Sequence, residues 1–432
     1  MASSEQPDTD EVISDNLSAG NAGAEAEMPN AAQAEKQAVS HNAKNNAELT
    51  PRDRARAIFA TMATVGVVGA AIGFGAPLIS ALMALHHFSN STIGYNATMG
   101  GLATVVGAMF TPRIATRFGV VPAILSMMFV GALTFLGFYC FENIVVWFAL
   151  RFILHFAMTV MFILSEFWVN SSAPAAKRAF ILAVYAAAMG LGVTVGPILF
   201  SYIGSSGFLP FAVGCALTAV AAIPVTMARH FSPRFYEARH QPFLHHIFKM
   251  PSSTLAAFVF GAVQVGAVSL ITPFGLHAGY SESQAGQLLT VVALGNVLLL
   301  VPISIISDRT GRSGLIIWLC AFLGCAGALL APFLVRHSLG LKIDLFIIGG
   351  VSAGIYTLGL ARLGTRFHGP ALAAANSAFI FCYGIGILLG PALTGFMMDY
   401  YPISGFADTM ALFFGVYVFF MLGARARNLF RS

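Results

Sequence analysis

The sequence predicts an all-α membrane protein: twelve transmembrane helices arranged as two pseudo-symmetric six-helix bundles. Three observations predict it. Of 432 residues, 57% are hydrophobic and only 9% are Asp, Glu, Lys or Arg, against about 25% charged in ordinary soluble domains. The apolar residues recur in runs of about 20, the length of a spanning helix, not in the alternating 9–11-residue runs of a membrane strand. Unrelated motifs also repeat at nearly one offset along the chain. Such a chain excludes a soluble enzyme, a disordered protein and a nucleic-acid binder.

Residues 1–50 hold nine acids, two lysines (Lys36 and Lys44) and no aromatic residue. That composition cannot bury enough apolar surface to order a chain, so this stretch is expected to be a disordered acidic cytoplasmic tail. It lacks the basic stretch and short apolar core of a secretory signal. Spans follow at roughly 57–85, 91–111, 119–140, 143–168, 179–203 and 208–228, forming an N-terminal bundle over 51–228. Residues 229–251 form a basic cytoplasmic linker with Arg229, Arg234, Arg239, Lys249 and four histidines. The C-terminal bundle, 252–432, has spans at roughly 252–277, 284–306, 314–335, 342–362, 372–398 and 405–424.

Orientation follows from the basic residues. With the N-terminus inside, eighteen Lys and Arg residues fall on the cytoplasmic side and only Arg336 and Lys342 outside. The positive-inside rule therefore puts both termini in the cytoplasm. The five cysteines show no CxxC or Cys/His metal spacing and read as small buried hydrophobes. No cofactor is implied, since the chain has no Walker loop, HExxH or GxSxG. Without a nucleotide-binding element, an ion or solute gradient is the remaining driver for active transport.

The internal repeat rests on two motifs. Gly192-x-x-x-Gly196-Pro197 in span five matches Gly386-x-x-x-Gly390-Pro391 in span eleven, 194 residues on. Pro112-Arg113-x-x-x-Arg117-x-Gly119, after span two, pairs with Asp308-Arg309-x-Gly311-Arg312-x-Gly314, after span eight, with Arg113 and Arg309 separated by 196. The glycines place two small residues on one helix face, where another backbone can approach, and the proline removes a ladder hydrogen bond. Asp308, Arg309 and Arg312, like Arg113 and Arg117, can latch helix ends in one conformation; the alternative is simple topological anchoring.

Arg151 is the only basic residue deep in a span, about eight residues or roughly 12 Å in at 1.5 Å per residue. An intramembrane guanidinium is costly enough to imply a polar cavity, an anionic ligand or a gating partner. His155 shares its face one turn on. Gln264 and Tyr356 are the large polar residues nearest mid-membrane, expected to contact substrate. Asn296, Ser352, Tyr185, Asn376 and Tyr383 fit interhelical hydrogen bonding. Glu166, at the inner end of span four, could pair with Arg178, and Trp168 would sit in the interfacial belt.

Two six-helix halves, the basic centre, the arginine motifs after spans two and eight, and the Gly-x-x-x-Gly-Pro helices together resemble the major facilitator superfamily over about residues 52–427. More narrowly, Ser165-Glu166-Phe167-Trp168-Val169-Asn170, then Arg178 and Tyr185, looks like a bacterial inner-membrane subgroup with an E-x-W-aliphatic-N signature. The resemblance implies a multi-pass protein of that membrane, a secondary transporter working by alternating access. Helices one, four, seven and ten would line its cavity, which places Arg151, His155, Gln264 and Tyr356 there. Proton-coupled efflux is the favoured form, with protons and an unidentified small solute, anionic in one version, as partners, alongside the lipid bilayer. The chain is expected to be a monomer. The alternative is a non-transporting sensor or assembly factor on the same scaffold. This chain departs from the family pattern at Pro112, where an acid is usual, at His155, where glycine is usual, and at Phe200-Ser201, where a glycine pair is usual.

Overall fold

A computed structural model describes residues 50–174, 178–233, 244–367 and 369–429. The acidic tail, and Arg234, Arg239 and His240 of the linker, lie outside the described residues. The described chain is helical: α1 (Pro51–Leu85), α2 (Asn90–Phe118), α3 (Val120–Cys140), α4 (Ile144–Ser172), α5 (Arg178–Ile203), α6 (Leu209–Met227), α7 (Pro251–His277), α8 (Glu282–Thr310), α9 (Ser313–Leu334), α10 (Ser338–Arg366), α11 (Gly369–Tyr400) and α12 (Ser404–Leu429). A six-residue helix, Leu244–Lys249, precedes α7. Eleven of the twelve are long and apolar enough to cross a membrane. The remaining one, α2, is 29 residues long and is diluted by Arg113, Arg117 and several Gly, Thr and Asn residues.

Local chemistry sets the helix ends. Exposed N-terminal N–H groups need acceptors where the chain leaves the apolar layer. Thr50 accepts from the Asp53 N–H at 3.2 Å, Ser89 from Thr92 at 3.2 Å and Asn143 from Val145 at 2.9 Å. Ser281 and Gln284 form a reciprocal capping box at α8. Gly311 ends α8 at φ 63°, the left-handed conformation that glycine adopts without steric penalty.

Several helices run further than hydropathy indicates. Residues Pro112 to Arg117, expected in a loop, are the last turns of α2, and Lys342 lies within α10. Charged residues at helix ends lower local hydropathy without breaking the backbone ladder. Arg113 and Arg117 sit over Phe110 and Phe118 of their own helix at 5.6 and 5.5 Å. Cys140, expected to be buried, is exposed at the end of α3, whereas Cys320 and Cys382 are buried.

The most intimate packing is α1 along α5 and α7 along α11. Around these pairs, α4 packs on α1, α2 and α3, and α3 on α6; α10 packs on α7, α8 and α9, and α9 on α12. Helices of the first six meet the last six mainly through α2 with α11, α5 with α8 and α1 with α7. The helices α3, α6, α9 and α12 carry exposed apolar side chains such as Phe129, Ile223, Phe333 and Phe419. An apolar belt of that extent requires a hydrocarbon solvent.

Glycine sets the close crossings. A Cβ on Gly192 or Gly196 would strike backbone of Gly66, Ala70 or Phe74 in α1. One on Gly386 or Gly390 would strike Phe258 or Ala262 in α7. Each of the paired motifs thus lets one backbone lie on another, α5 on α1 and α11 on α7.

Candidate functional site

Two carboxylates tie the halves together at the face opposite the arginine-rich ends. Asp399, at the end of α11, accepts the N–H groups of Asn90 at 2.6 Å and Ser91 at 3.0 Å, and so caps the N-terminus of α2. Asn90 also donates its side-chain amide to the Met398 carbonyl at 3.3 Å. Glu282, at the start of α8, accepts from the Ser205 N–H at 3.0 Å and hydroxyl at 2.7 Å, just beyond α5. Position 399 lies 194 residues after 205, and 282 lies 192 after 90. The two clasps therefore fall at nearly the same sequence offset as the paired motifs, with donor and acceptor exchanged. Nearby, Thr98 donates to the Leu388 carbonyl at 3.0 Å, and Gly94 and Gly395 admit Pro391 and Asn90.

At the arginine-rich end the charged motifs are exposed. Asp308, Arg309 and Arg312 are exposed, and among the described residues none forms an ion pair. Arg113 and Arg117 are exposed as well. The expected latch residues are therefore present at helix ends but disengaged.

Between these ends, α4 and α10 do not pack together. Glu166 on α4 is exposed, and Tyr356 on α10 is partly so. Tyr356 belongs to an aromatic group with Phe260 at 4.7 Å, Phe379 at 5.0 Å and Tyr383 at 5.8 Å between ring centroids. Gln264 accepts from the Asn296 amide at 3.0 Å, and Ser352 donates to Asn296 at 3.5 Å, linking α7, α8 and α10. The two favoured polar residues thus sit in the same half, one in a hydrogen-bond chain and the other among aromatic rings.

Arg151 and His155 lie elsewhere. Arg151 is only 2% exposed, and its Nε has no hydrogen-bond partner. His155 contacts the Arg151 carbonyl through Nδ1 at 3.2 Å, and its ring fills the space left by Gly100 of α2. Thr159 continues this seam with a hydroxyl contact to Thr104 at 3.3 Å. In this conformation both residues belong to the α2–α4 contact.

The signature after Ser165 divides by face. Ser165 bonds the Tyr185 hydroxyl at 2.8 Å and holds α4 to α5. Trp168, expected in an interfacial belt, is fully buried and donates its indole N–H to the Phe231 carbonyl at 3.1 Å. The reason is periodicity: Ser165, Trp168 and Val169 share the packed stripe, whereas Glu166 and Asn170, four apart, share the open one. The side chain of Arg178, the expected partner of Glu166, lies outside the described residues.

Three acids were missed. Asp399 and Glu282 carried a legible signal, as isolated acids at span ends. Asp344 lay within an expected span, six residues into α10 or roughly 9 Å. It is 7% exposed, lies against Gly327 of α9, and its Oδ2 has no partner. Its depth is comparable with that of Arg151, although the two form no ion pair among the described residues. No group of His, Cys, Asp and Glu suited to a metal ion occurs among the described residues.

The profile of the Major Facilitator Superfamily matches residues 58–391 and 279–429. YfkF of Bacillus subtilis, named as an uncharacterized MFS-type transporter, is 23% identical over 79% of this chain and 88% of its own. YcaD of Escherichia fergusonii, named likewise, is 23% identical over 75% of this chain and 84% of its own. An alanine variant of the nucleoside transporter NupG superposes with a TM-score of 0.69 at 15% identity, covering 86% of this chain and 99% of that one. A D-xylose-proton symporter gives 0.64 at 13% identity, over 84% and 97%. The chain belongs to the Major Facilitator Superfamily: it is a multi-pass membrane transporter of a small solute and not an enzyme.

Proposed function

We propose that this chain is a secondary active transporter working by alternating access between two pseudo-symmetric six-helix bundles, 51–228 and 252–432, joined by the basic linker 229–251. The observation that carries the reading is the asymmetry of the two ends. Carboxylate clasps close one face, while the arginine motifs at the other stand disengaged. Counting basic residues makes the arginine-rich face cytoplasmic, so this conformation is open inward. Closing the inner face requires Asp308, Arg309, Arg312, Arg113 and Arg117 to engage, and opening the outer face requires both clasps to release.

The solute pathway is the gap between α4 and α10, with Tyr356 on its wall and Gln264 behind it. Arg151 and His155 act at the α2–α4 seam, which must shift if the helices change their tilt. Gly192, Gly196 and Pro197, with Gly386, Gly390 and Pro391, are the pivots on which each bundle holds together while it rocks. Proton-coupled efflux is the form supported by the Gly-x-x-x-Gly-Pro resemblance. The bacterial relatives and the Glu166-x-Trp168-Val169-Asn170 signature support the inner membrane and the narrower subgroup. The protein acts as a monomer in this reading.

Topology follows directly. Reporter fusions after residues 140, 204 and 282 are expected to read outside, and those after 117, 240 and 368 inside. A cytoplasmic reading at 282 would overturn the twelve-span arrangement. The test of alternating access itself uses a chain with its five cysteines replaced and a single Gln264→Cys. An impermeant maleimide should reach it from the cytoplasmic face in this conformation. A disulfide between Asn90→Cys and Asp399→Cys should retain that access and stop solute movement. Simultaneous labelling from both faces of the bilayer would contradict the mechanism.

A further inference from the structure

Asp344 is an acid inside a membrane span with no partner to balance its charge. It lies six residues into α10, roughly 9 Å from the clasped-face end at 1.5 Å per residue. The side chain is 7% exposed, and Oδ2 has no hydrogen-bond partner. The carboxyl rests on Gly327 of α9, where an added Cβ would come within 2.6 Å of Oδ1. A residue without a side chain thus makes the room that the acid occupies. Leu341, Leu345 and Ile348, its neighbours on the adjoining turns of α10, are buried and apolar.

The helices packed on α10 supply no counter-charge. On α9 there is no Asp, Glu, Lys, Arg or His. Its Cys320 lies opposite Gly354, ten residues or roughly 15 Å further along α10. The one such residue of α7 is His277, at its end, with Nδ1 at 2.8 Å from the Pro273 carbonyl. On α8, Glu282 accepts from Ser205, and Asp308 and Arg309 stand at the far end. On α11, Asp399 caps α2, and Cys382 and Tyr383 lie deeper. On α10 itself, Lys342 donates to Gln287 of α8 at 3.0 Å. Tyr356, Arg362 and Arg366 are twelve or more residues on, and Arg336 and His337 precede the helix. Among the described residues Asp344 forms no ion pair. An ionised carboxylate here would stand unpaired in an apolar layer, and taking up a proton removes that charge.

We propose that Asp344 is a proton-binding site of this transporter, its carboxyl carrying a proton while the clasped face is closed. One proton from solution adds to a carboxylate oxygen, and no other bond changes. Release of the clasps admits water to this end of α10, where the carboxylate is hydrated and the proton leaves. This deepens the reading above, and its second half rests on alternating access. By linkage, the closed conformation is favoured as pH falls.

The test uses the purified full-length chain in lipid nanodiscs. Infrared difference spectra of wild type against Asp344→Asn at neutral pH are expected to show the carbonyl stretch of a neutral carboxyl in wild type alone. Gly327→Ala crowds Oδ1 but keeps the acid, so it should shift that band without removing it. Spin labels at Phe208→Cys and Tyr401→Cys, both exposed at the clasped face, read the closed population. Between pH about 6 and 8 ordinary carboxylates stay ionised. Over that range the ratio of closed to open protein should rise as pH falls, by up to about tenfold per unit for one proton. Histidines titrate in the same range, so the informative part is the pH dependence that Asp344→Asn abolishes. Asp344→Ser is the second variant should the first fold poorly. No band difference would overturn the proposal. So would wild-type pH dependence in both Asp344 variants, which would make Asp344 a buried structural acid. Label distances fixed in every variant and at every pH, with the band present, would place the failure in alternating access. The proton site would then stand and its place in the cycle would fall.

Discussion

Replacing Gly196 or Gly390 by leucine is expected to destabilise the folded protein and stop transport. At both positions the atoms in the way are backbone, not the end of a flexible side chain: Phe74, Gly73 and Ala70 at Gly196, and Ala262 at Gly390. Backbone cannot swing aside, so two whole helices must separate. Overpacking of this kind costs about 1–3 kcal/mol where side chains can adjust, and the upper end applies here. Because α1–α5 and α7–α11 are the most intimate contacts in their halves, the two variants should have similar effects. Gly423→Ala is the control, since a Cβ there meets nothing. Thermal unfolding in one detergent measures all three, with a lowered midpoint expected for the first two alone. Wild-type stability and activity in both leucine variants would place those faces toward lipid and remove the mechanical meaning of the repeat.

Asp399→Ala should shift the protein away from the conformation described above without unfolding it. The lost contacts are two backbone N–H bonds to a charged acceptor, from Asn90 and Ser91. Hydrogen bonds to charged groups contribute roughly 1.5–3 kcal/mol each, and each 1.4 kcal/mol is about a factor of ten in an equilibrium. Allowing for water replacing the lost partner, the ratio of outer-closed to outer-open protein should fall by about 10–100-fold. Asp399→Asn retains one acceptor oxygen and should fall between. Combining Asp399→Ala with Glu282→Ala should shift the ratio further, since the clasps join different helix pairs. The measurement is labelling of a single cysteine in the gap by a reagent confined to the outer face. Unchanged labelling in Asp399→Ala would show that the clasp is not what holds the outer face shut.

The architecture was legible because the bilayer imposes it. A spanning helix must be apolar over about 20 residues whatever its neighbours, so each run announces itself. The Gly-x-x-x-Gly-Pro pair was legible for a similar reason, since only glycine permits the backbone contacts seen at Gly192, Gly196, Gly386 and Gly390. Helix ends were less legible, because Arg113 and Arg117 continue α2 while lowering its hydropathy.

The site was legible only in part. The expense of an intramembrane arginine marks Arg151 as unusual, but expense does not say which way the side chain points, and here it is enclosed. Glu166 looked like a helix-end ion-pair residue; what distinguishes it is the exposed face it shares with Asn170. Asp399 and Glu282 stand out as isolated acids at span ends, but their partners were invisible because Asp399 and Asn90 lie 309 residues apart. Only the folding of the second half onto the first brings such residues together.

Paired spin-label distances test the alternating-access claim most directly. One pair joins Phe208→Cys to Tyr401→Cys at the clasped face, and the other joins Phe118→Cys to Thr310→Cys at the arginine-rich face, all four residues being exposed. In nanodiscs, Asp399→Ala should lengthen the first distance and shorten the second, so that the populations change in opposite directions. Distances that lengthen together, or stay fixed in every variant, would contradict a two-sided rocking transporter.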